Sequence, residues 1–450
     1  MKRKIFAILS LLALTTAVGC SSKEPETVIS SSTTDSSEQV ISQDTHDIPA
    51  DTYDTAKNVK GFDKQRMSEN IDVFSTYMFY KTFKNADKEN VLLSPFSVYT
   101  SLSMLENGAN GDTFTELNQA LNGYFNLDEA LMEFMRISPL PKEQLNNFAK
   151  SYNDNSDNKV FSMANAFWVS DDDSLVPNSD FLSISHDYYD SEFFRLHIDS
   201  SALKTINDWV SAKTNEKITD FLDEKSGVNP DAAAIILNAV SFEGEWLAEY
   251  DAEEMYTDVF HNADETDNII SYLVAEESVL VDDEFAKGFV KEYKDGNFSF
   301  AVLMPNENVD YNEYAYRLHS NDVFKNCIKN CDGKTALTYL PKFSFDYDCS
   351  LVEVLQSMGI QRAFDEQSAD FSNMFEGGSV HVKDVLHKTH IDVNEKGTQA
   401  QAATAVIMEK DAMAVVEQEM EKIMINRPFF FCIYDNSIDA PVFIGAVQVL

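Results

Sequence analysis

Glu395-Lys396-Gly397-Thr398-Gln399-Ala400-Gln401-Ala402-Ala403-Thr404-Ala405-Val406-Ile407-Met408 is the stretch on which the reading of this chain turns. It follows residues 384–393, Asp-Val-Leu-His-Lys-Thr-His-Ile-Asp-Val, which read as a strand. Strand side chains alternate between faces, so Thr398, Ala400, Ala402, Thr404, Val406 and Met408 would share one side. That side is small or apolar and uncharged, whereas Gln399, Gln401 and Glu409 fall on the other. Gly397 suits a hinge, because glycine adopts backbone angles that other residues resist. On pattern alone the stretch fits a strand with one buried face, an ordinary edge strand or an Ala-rich linker, since Ala is a weak strand former and a fair helix former.

Other stretches carry the reading further. Ser94-Pro95-Phe96-Ser97 opens a helix, Asn165-Ala166-Phe167-Trp168-Val169 lies in a strand, and Leu340-Pro341-Lys342-Phe343 ends another. Asn426-Arg427-Pro428-Phe429-Phe430-Phe431 and Pro441-Val442-Phe443-Ile444-Gly445 follow near the C-terminus. In order and spacing these motifs, with the Glu-Lys-Gly-Thr-x-Ala-x-Ala-Ala-Thr run, resemble the serpins, protease inhibitors that insert a cleaved loop into their own sheet. The resemblance runs from about residue 62 to the end.

The resemblance implies a serpin fold of three β-sheets with eight or nine helices, and an exposed reactive-centre loop at about 395–420. It implies suicide inhibition of a serine protease through a covalent acyl complex, with no cofactor and no enzymatic activity of the chain's own. Glu395, Gly397, Thr398, Ala400, Ala402, Ala403 and Thr404 match the family's hinge; Gln401, where the family usually has Ala, faces outward. The family's count from the hinge glycine to the cut residue implies Asp411-Ala412 as the reactive bond, with Lys410 and Met413 beside it. The small aliphatic run 412–416 tilts the target towards an elastase- or subtilisin-like enzyme. Ser94, Ser97, Asn165 and His387 match the polar cluster beneath the main sheet (the shutter), and Trp168 is matched to the tryptophan where insertion begins (the breach). The alternative is a non-inhibitory serpin acting as a binding or surface-adhesion module.

The N-terminus carries Lys2-Arg3-Lys4, an apolar run over 5–14, and Ala17-Val18-Gly19-Cys20. That order reads as a lipoprotein signal peptide over 1–19 of bacterial type, with Cys20 as the lipidated residue. A plain cleaved signal peptide is the other reading. Residues 20–60 are rich in Ser, Thr, Asp and Glu, too polar to offset their ordering entropy, and read as a tether before a domain at 61–450. The expectation is an exported monomer, secreted or held on the outer face of a bacterial membrane through that lipid alone. Cys327 and Cys331 are four apart, a spacing that allows a pair across a helix end without marking a disulfide framework, while Cys349 and Cys432 read as buried thiols.

The formal net charge of −40 over 450 residues excludes nucleic acid as a natural partner, because phosphates would be repelled. It also disfavours a heparin-type cofactor, for residues 112–136 hold no basic face.

Apolar spacing at Met67, Ile71, Phe74 and Met78 predicts a helix over 64–84. Ser94 stands at an N-cap position with Pro95 first in the helix. Residues 160–169 and 231–242 read as buried strands, 201–217 as an amphipathic helix, 288–304 as a hairpin turning at Asp295-Gly296, and 335–347 as continuous strand. Helices and strands intermix without a βαβ repeat, which points to an α+β fold with large mixed or antiparallel sheets.

Catalytic patterns are scarce. Ser156–Lys159 and Ser201–Lys204 match Ser-x-x-Lys, but the first sits in a polar loop and the second starts a helix, without the partner motifs of a penicillin-binding enzyme. His387 and His390 are three apart on a strand, so their rings point to opposite faces and share no metal.

Overall fold

The structure is a computed structural model. It describes residues 8–16, 61–126, 132, 138–155, 160–172, 175–198, 200–213, 221–222, 232–320, 322–329, 335–376, 380–398 and 421–450. Cys20, the tether, the reactive bond with its neighbours, and Ala400, Ala402, Ala403 and Thr404 lie outside these residues.

The largest sheet has eight strands: β1 (Ile8–Thr16), β2 (Phe161–Ser170), β3 (Glu192–Leu196), β4 (Ala232–Phe242), β5 (Gly244–Glu245), β6 (Phe343–Ser350), β7 (Val380–Val393) and β8 (Gly397–Thr398). Their order is β3-β2-β4-β1-β7-β8-β5, with β6 on the other edge of β7. β1 runs antiparallel to both neighbours, Ser10 standing opposite Asn238 of β4 and His387 of β7. β4 and β7 are thus parallel to each other and part by one strand's width.

A six-stranded sheet is built from Val279–Asp282, Ala286–Glu292, Phe298–Pro305, Phe429–Asp435, Ala440–Val447 and Val91–Leu93. The last hairpin is buried along both strands, which matches a sequence that is apolar but for Tyr434 and Asp435. A third sheet joins Glu421–Met424, Ala336–Pro341, Asp267–Glu277 and Tyr256–His261, and a two-stranded ribbon is separate.

Nine α-helices stand among the described residues. α1 (Lys64–Lys84) is capped by Asp63 and buries Met67, Ile71, Phe74 and Met78 completely, as their spacing predicts. α2 (Pro95–Gly108) is buried along its whole length between α1 and the large sheet. α3 (Ser200–Lys213) covers the opposite sheet face, where Ile206, Trp209 and Val210 form a second core with Trp168, Ile235 and Leu237. Lys204, from the second Ser-x-x-Lys match, pairs with Asp208 on the exposed side. The first match, Ser156–Lys159, lies outside the described residues.

Two sequence expectations are corrected here. The strand expected over 335–347 is broken at Lys342: Ala336–Pro341 belongs to the four-stranded sheet and β6 to the large one. A proline at the end of one strand lets the chain change sheets, which continuous apolar alternation hides. Ser94 holds the N-cap position, yet its side chain makes no cap bond; the hydroxyl donates to the Val442 carbonyl instead.

Candidate functional site

The site begins where β7 ends. Asn394-Glu395-Lys396 turn the chain, and Gly397–Thr398 return as β8 between β7 and β5. Thr398 stands opposite Val393 on one side and Gly244 on the other. A Cβ added at Gly397 would lie 2.0 Å from the Gly244 carbonyl oxygen, so this close passage admits only glycine. Thr398 is 1% exposed, and its hydroxyl is 2.7 Å from that of Tyr293.

The turn is received by an aromatic shelf. The Trp246 amide donates to the Lys396 carbonyl (2.8 Å), its indole N–H to Asn394 O (2.9 Å), and the Tyr250 amide to Glu395 O (2.8 Å). The Trp246 ring stacks on Tyr293 with centroids 4.6 Å apart. From the other side Lys342 pairs with the Glu395 carboxylate at 2.7 Å. Burial pulls that carboxyl upward, but the Lys342 hydrogen bond and charge prevail and hold it below its usual value.

Midway down the sheet lies a buried polar cluster. The Ser94 amide donates to His387 Nε2 at 3.1 Å. Asn238 Nδ2 donates to Asn165 Oδ1 (2.6 Å), and Asn165 Nδ2 to the Tyr189 carbonyl (2.7 Å). Ser97 lies completely buried in the first turn of α2, its carbonyl accepting from the Ser101 hydroxyl. Burial drives His387 down to about 3, so the ring is neutral. With Nε2 accepting, its proton sits on Nδ1. That Nδ1 and the Asn238 Oδ1 are buried without hydrogen-bond partners. They flank the same level of the sheet, one a donor and the other an acceptor.

The sequence expectations divide accordingly. Glu395, Gly397 and Thr398 meet at the head of the sheet; below it Ser94 meets His387, while Asn165 pairs with Asn238 at the same level, on the far side of β1. Trp168 does not belong with the hinge. β2 runs antiparallel to β4, which puts Trp168 opposite Ile235, at the end of β4 remote from the hinge. There it stacks on Phe194 (4.0 Å) and meets Trp209 edge-on. The tryptophan at the hinge is Trp246. Sequence reasoning passed over it because Glu243-Gly244-Glu245-Trp246 looks like an exposed acidic turn. Asn238 was missed too, although it is the lone amide in a strand otherwise apolar but for Ser241.

His387 and His390 are both buried; His390 is held by Asp346 (2.6 Å) and approached by the Ser344 hydroxyl (3.3 Å), away from the Ser94 bond of His387. Among the described residues no group of three or more His, Cys, Asp or Glu is placed to hold a metal. Cys327, Cys349 and Cys432 are free thiols, and burial pushes the first two up to about 12. Cys331 lies outside the described residues.

Against known proteins, the profile of the family described as Serpin (serine protease inhibitor) matches residues 69–449. A serpin-like protein of Methanosarcina acetivorans is 29% identical over 382 residues, covering 83% of this chain and 84% of its own. Human alpha-1-antichymotrypsin is 27% identical, covering 84% of this chain and 87% of its own. Among solved structures, the thermophilic serpin tengpin in its native state superposes with a TM-score of 0.75 at 32% identity, covering 88% of this chain and 96% of tengpin. Tengpin in its latent state gives 0.71 at 31% identity, covering 87% of this chain and 99% of tengpin. The chain belongs to the serpin family and has the serpin fold.

Proposed function

We propose that this protein is a suicide-substrate inhibitor of a serine protease, with an elastase- or subtilisin-like target favoured. The observation that carries the reading is the position of Gly397–Thr398, already paired on both sides at the head of the gap between β4 and β7. A protease cutting near Asp411-Ala412 forms an acyl bond to the residue before the cut. The severed arm then continues from Thr398 down that gap as a new strand, dragging the protease along and distorting its catalytic site. In this structure the place between β4 and β7 is held by β1, residues 8–16 of the expected signal peptide, in the orientation the arm would take; the arm takes that place once residues 1–19 are removed.

The register supports the same motion. Six residues beyond Thr398, Thr404 would arrive level with the residues six before Val393 and Gly244, which are His387 and Asn238. The inward hydroxyl can accept from His387 Nδ1–H and donate to Asn238 Oδ1, satisfying both groups. Every inward residue from Thr398 to Met408 is small or apolar, so none must shed a charge to enter.

An added strand of ~10 residues gains ladder bonds of roughly 1 kcal/mol each. The total, on the order of 10 kcal/mol, rivals the stability of a typical domain. A displacement of about 1 Å is enough to disable a catalytic centre. Insertion of the reactive loop into the main sheet is the established form of strand addition in serpins.

The N-terminal pattern supports export, with lipid attachment at Cys20 in a bacterial membrane or release in soluble form. The acidic surface supports action as a monomer without a polyanionic cofactor. The test is incubation with a panel of serine proteases, followed by denaturing electrophoresis. A covalent band at the mass of the protease plus the chain up to the cut is expected, the peptide after the cut being released on denaturation; cleavage without that band makes the protein a non-inhibitory serpin.

A further inference from the structure

The shelf that receives the hinge rests on a charge. Lys291, on the strand Ala286–Glu292, is only 3% exposed, and its ammonium lies 2.6 Å from Glu277, itself 13% exposed. The same ammonium sits 4.2 Å from the centroid of the Tyr250 ring and 5.8 Å from that of Trp246. Both are within the range at which a cation is drawn to an aromatic face. The two rings meet edge-on at 6.3 Å, and the Tyr250 hydroxyl has no hydrogen-bond partner in its buried site. What orients Tyr250 is therefore packing and the ammonium beneath it.

A buried ion pair is seldom an efficient source of stability, because desolvating both charges offsets their attraction. Burial raises the Glu277 carboxyl above its usual value even against the pull of Lys291. The geometry suggests what the pair does instead. Trp246 and Tyr250 together bond the carbonyls of Asn394, Glu395 and Lys396, and Trp246 stacks on the ring whose hydroxyl meets Thr398. One ammonium thus stands behind both rings of the shelf, while Lys342 holds the turn from its own side.

We propose that Lys291, anchored by Glu277, is a positioning residue for loop insertion: it fixes the Trp246–Tyr250 shelf in the register from which the severed arm starts into the sheet. The proposal rests on the inhibitor reading and adds a residue to it that touches neither the loop nor the protease. A loosened shelf delays entry, and the acyl bond has longer to hydrolyse. Loop cleavage itself, at a bond 13 residues beyond Thr398 in the chain, is untouched.

The test compares wild type with Lys291→Met, Lys291→Arg and the double variant Lys291→Met/Glu277→Leu. The double variant removes both charges together and leaves no orphaned carboxylate, so the fold is retained even where the single change fails. The expected result is a several-fold rise in inhibitor molecules consumed per protease trapped in the double variant. The rate of loop cleavage stays constant, and Lys291→Arg stays near wild type. Unchanged consumption in the double variant overturns the proposal, as does an Arg variant as defective as Met. Should wild type trap no protease, the inhibitor reading falls by itself. The shelf is then judged on chains nicked in the loop by a non-serine protease, from the time course of tryptophan fluorescence. A slower course in the double variant supports it; an equal course, or no change in either chain, overturns it.

Discussion

The hydroxyl of Tyr293 lies 2.7 Å from that of Thr398, in a site where both side chains are buried. The first inward residue of the hinge is therefore already bonded to the body of the protein. Tyr293 ends the strand pair that turns at Gly296, and Thr398 opens the arm, 105 positions later in the chain. The bond ties the start of the loop to the strand beneath the shelf.

Thr398→Arg places an unpaired guanidinium where a threonine is 1% exposed. Burying such a charge costs several kcal/mol, and each ~1.4 kcal/mol added to the barrier slows entry tenfold. The expected outcome is conversion from inhibitor to substrate: intact loop cleavage, with covalent complex on denaturing gels reduced by more than about tenfold. Undiminished complex would mean that insertion does not start from a buried Thr398.

Nicking the loop between Lys410 and Met413 should raise the melting temperature, because the freed arm adds a strand. With a gain on the order of 10 kcal/mol the shift is on the order of 10 °C or more. Differential scanning fluorimetry before and after limited proteolysis reads it directly, and an unmoved transition would mean that no strand is added.

Thr404→Val keeps the shape of the side chain but deletes the hydroxyl that would join His387 to Asn238. The nicked variant should recover less of the thermal gain than nicked wild type, by about 1–3 kcal/mol, since buried polar groups stay unsatisfied. The uncleaved variant should melt with wild type. A full gain in the nicked variant would place some other residue at that level.

His387 gives the folded chain an acid sensitivity. Its ring takes a proton near 6.5 when unfolded but only at about 3 when folded. Between those values the unfolded chain binds more protons, so stability falls as the pH drops. By pH 4 the loss is roughly 3 kcal/mol relative to pH 7. His387→Gln should remove it, as seen in denaturant midpoints followed by circular dichroism at the two pH values.

Glu106 works in the opposite sense. Burial raises its carboxyl from 4.5 to about 8, against the hydrogen bond from Asn118 Nδ2 at 2.6 Å. The folded chain then holds the extra proton, so stability is full below pH 4.5 and is lost as the pH rises through 8. Glu106→Gln mimics the protonated form. It should match wild type at pH 4 and exceed it by roughly 4 kcal/mol at pH 9, measured in the same way.

Much of this was legible in the residues themselves. The inward place of Thr398 followed from its position in the alternating run, the spacing of Met67, Ile71, Phe74 and Met78 gave α1, and the run of apolar residues at 231–242 gave the strand beside the gap. The polar cluster came from resemblance, and its partners Asn238 and Tyr189 from the fold. Strand direction was the hidden variable. A tryptophan in a strand says nothing of which end faces the hinge, and so Trp168 took the place that belongs to Trp246. The break at Lys342 was hidden because a chain changing sheets keeps the same apolar alternation. Lys291 gave no signal, since a lone lysine in an alternating strand reads as solvent-facing until its neighbours are known.

Gly397 and Gly244 pass within a carbonyl's reach of each other, and a Cβ at Gly244 would in turn strike the Tyr293 ring at 2.5 Å. Neither position can be relaxed by changing the other, because each presses on a different neighbour. A library randomised at both codons should therefore return glycine twice wherever selection demands trapping.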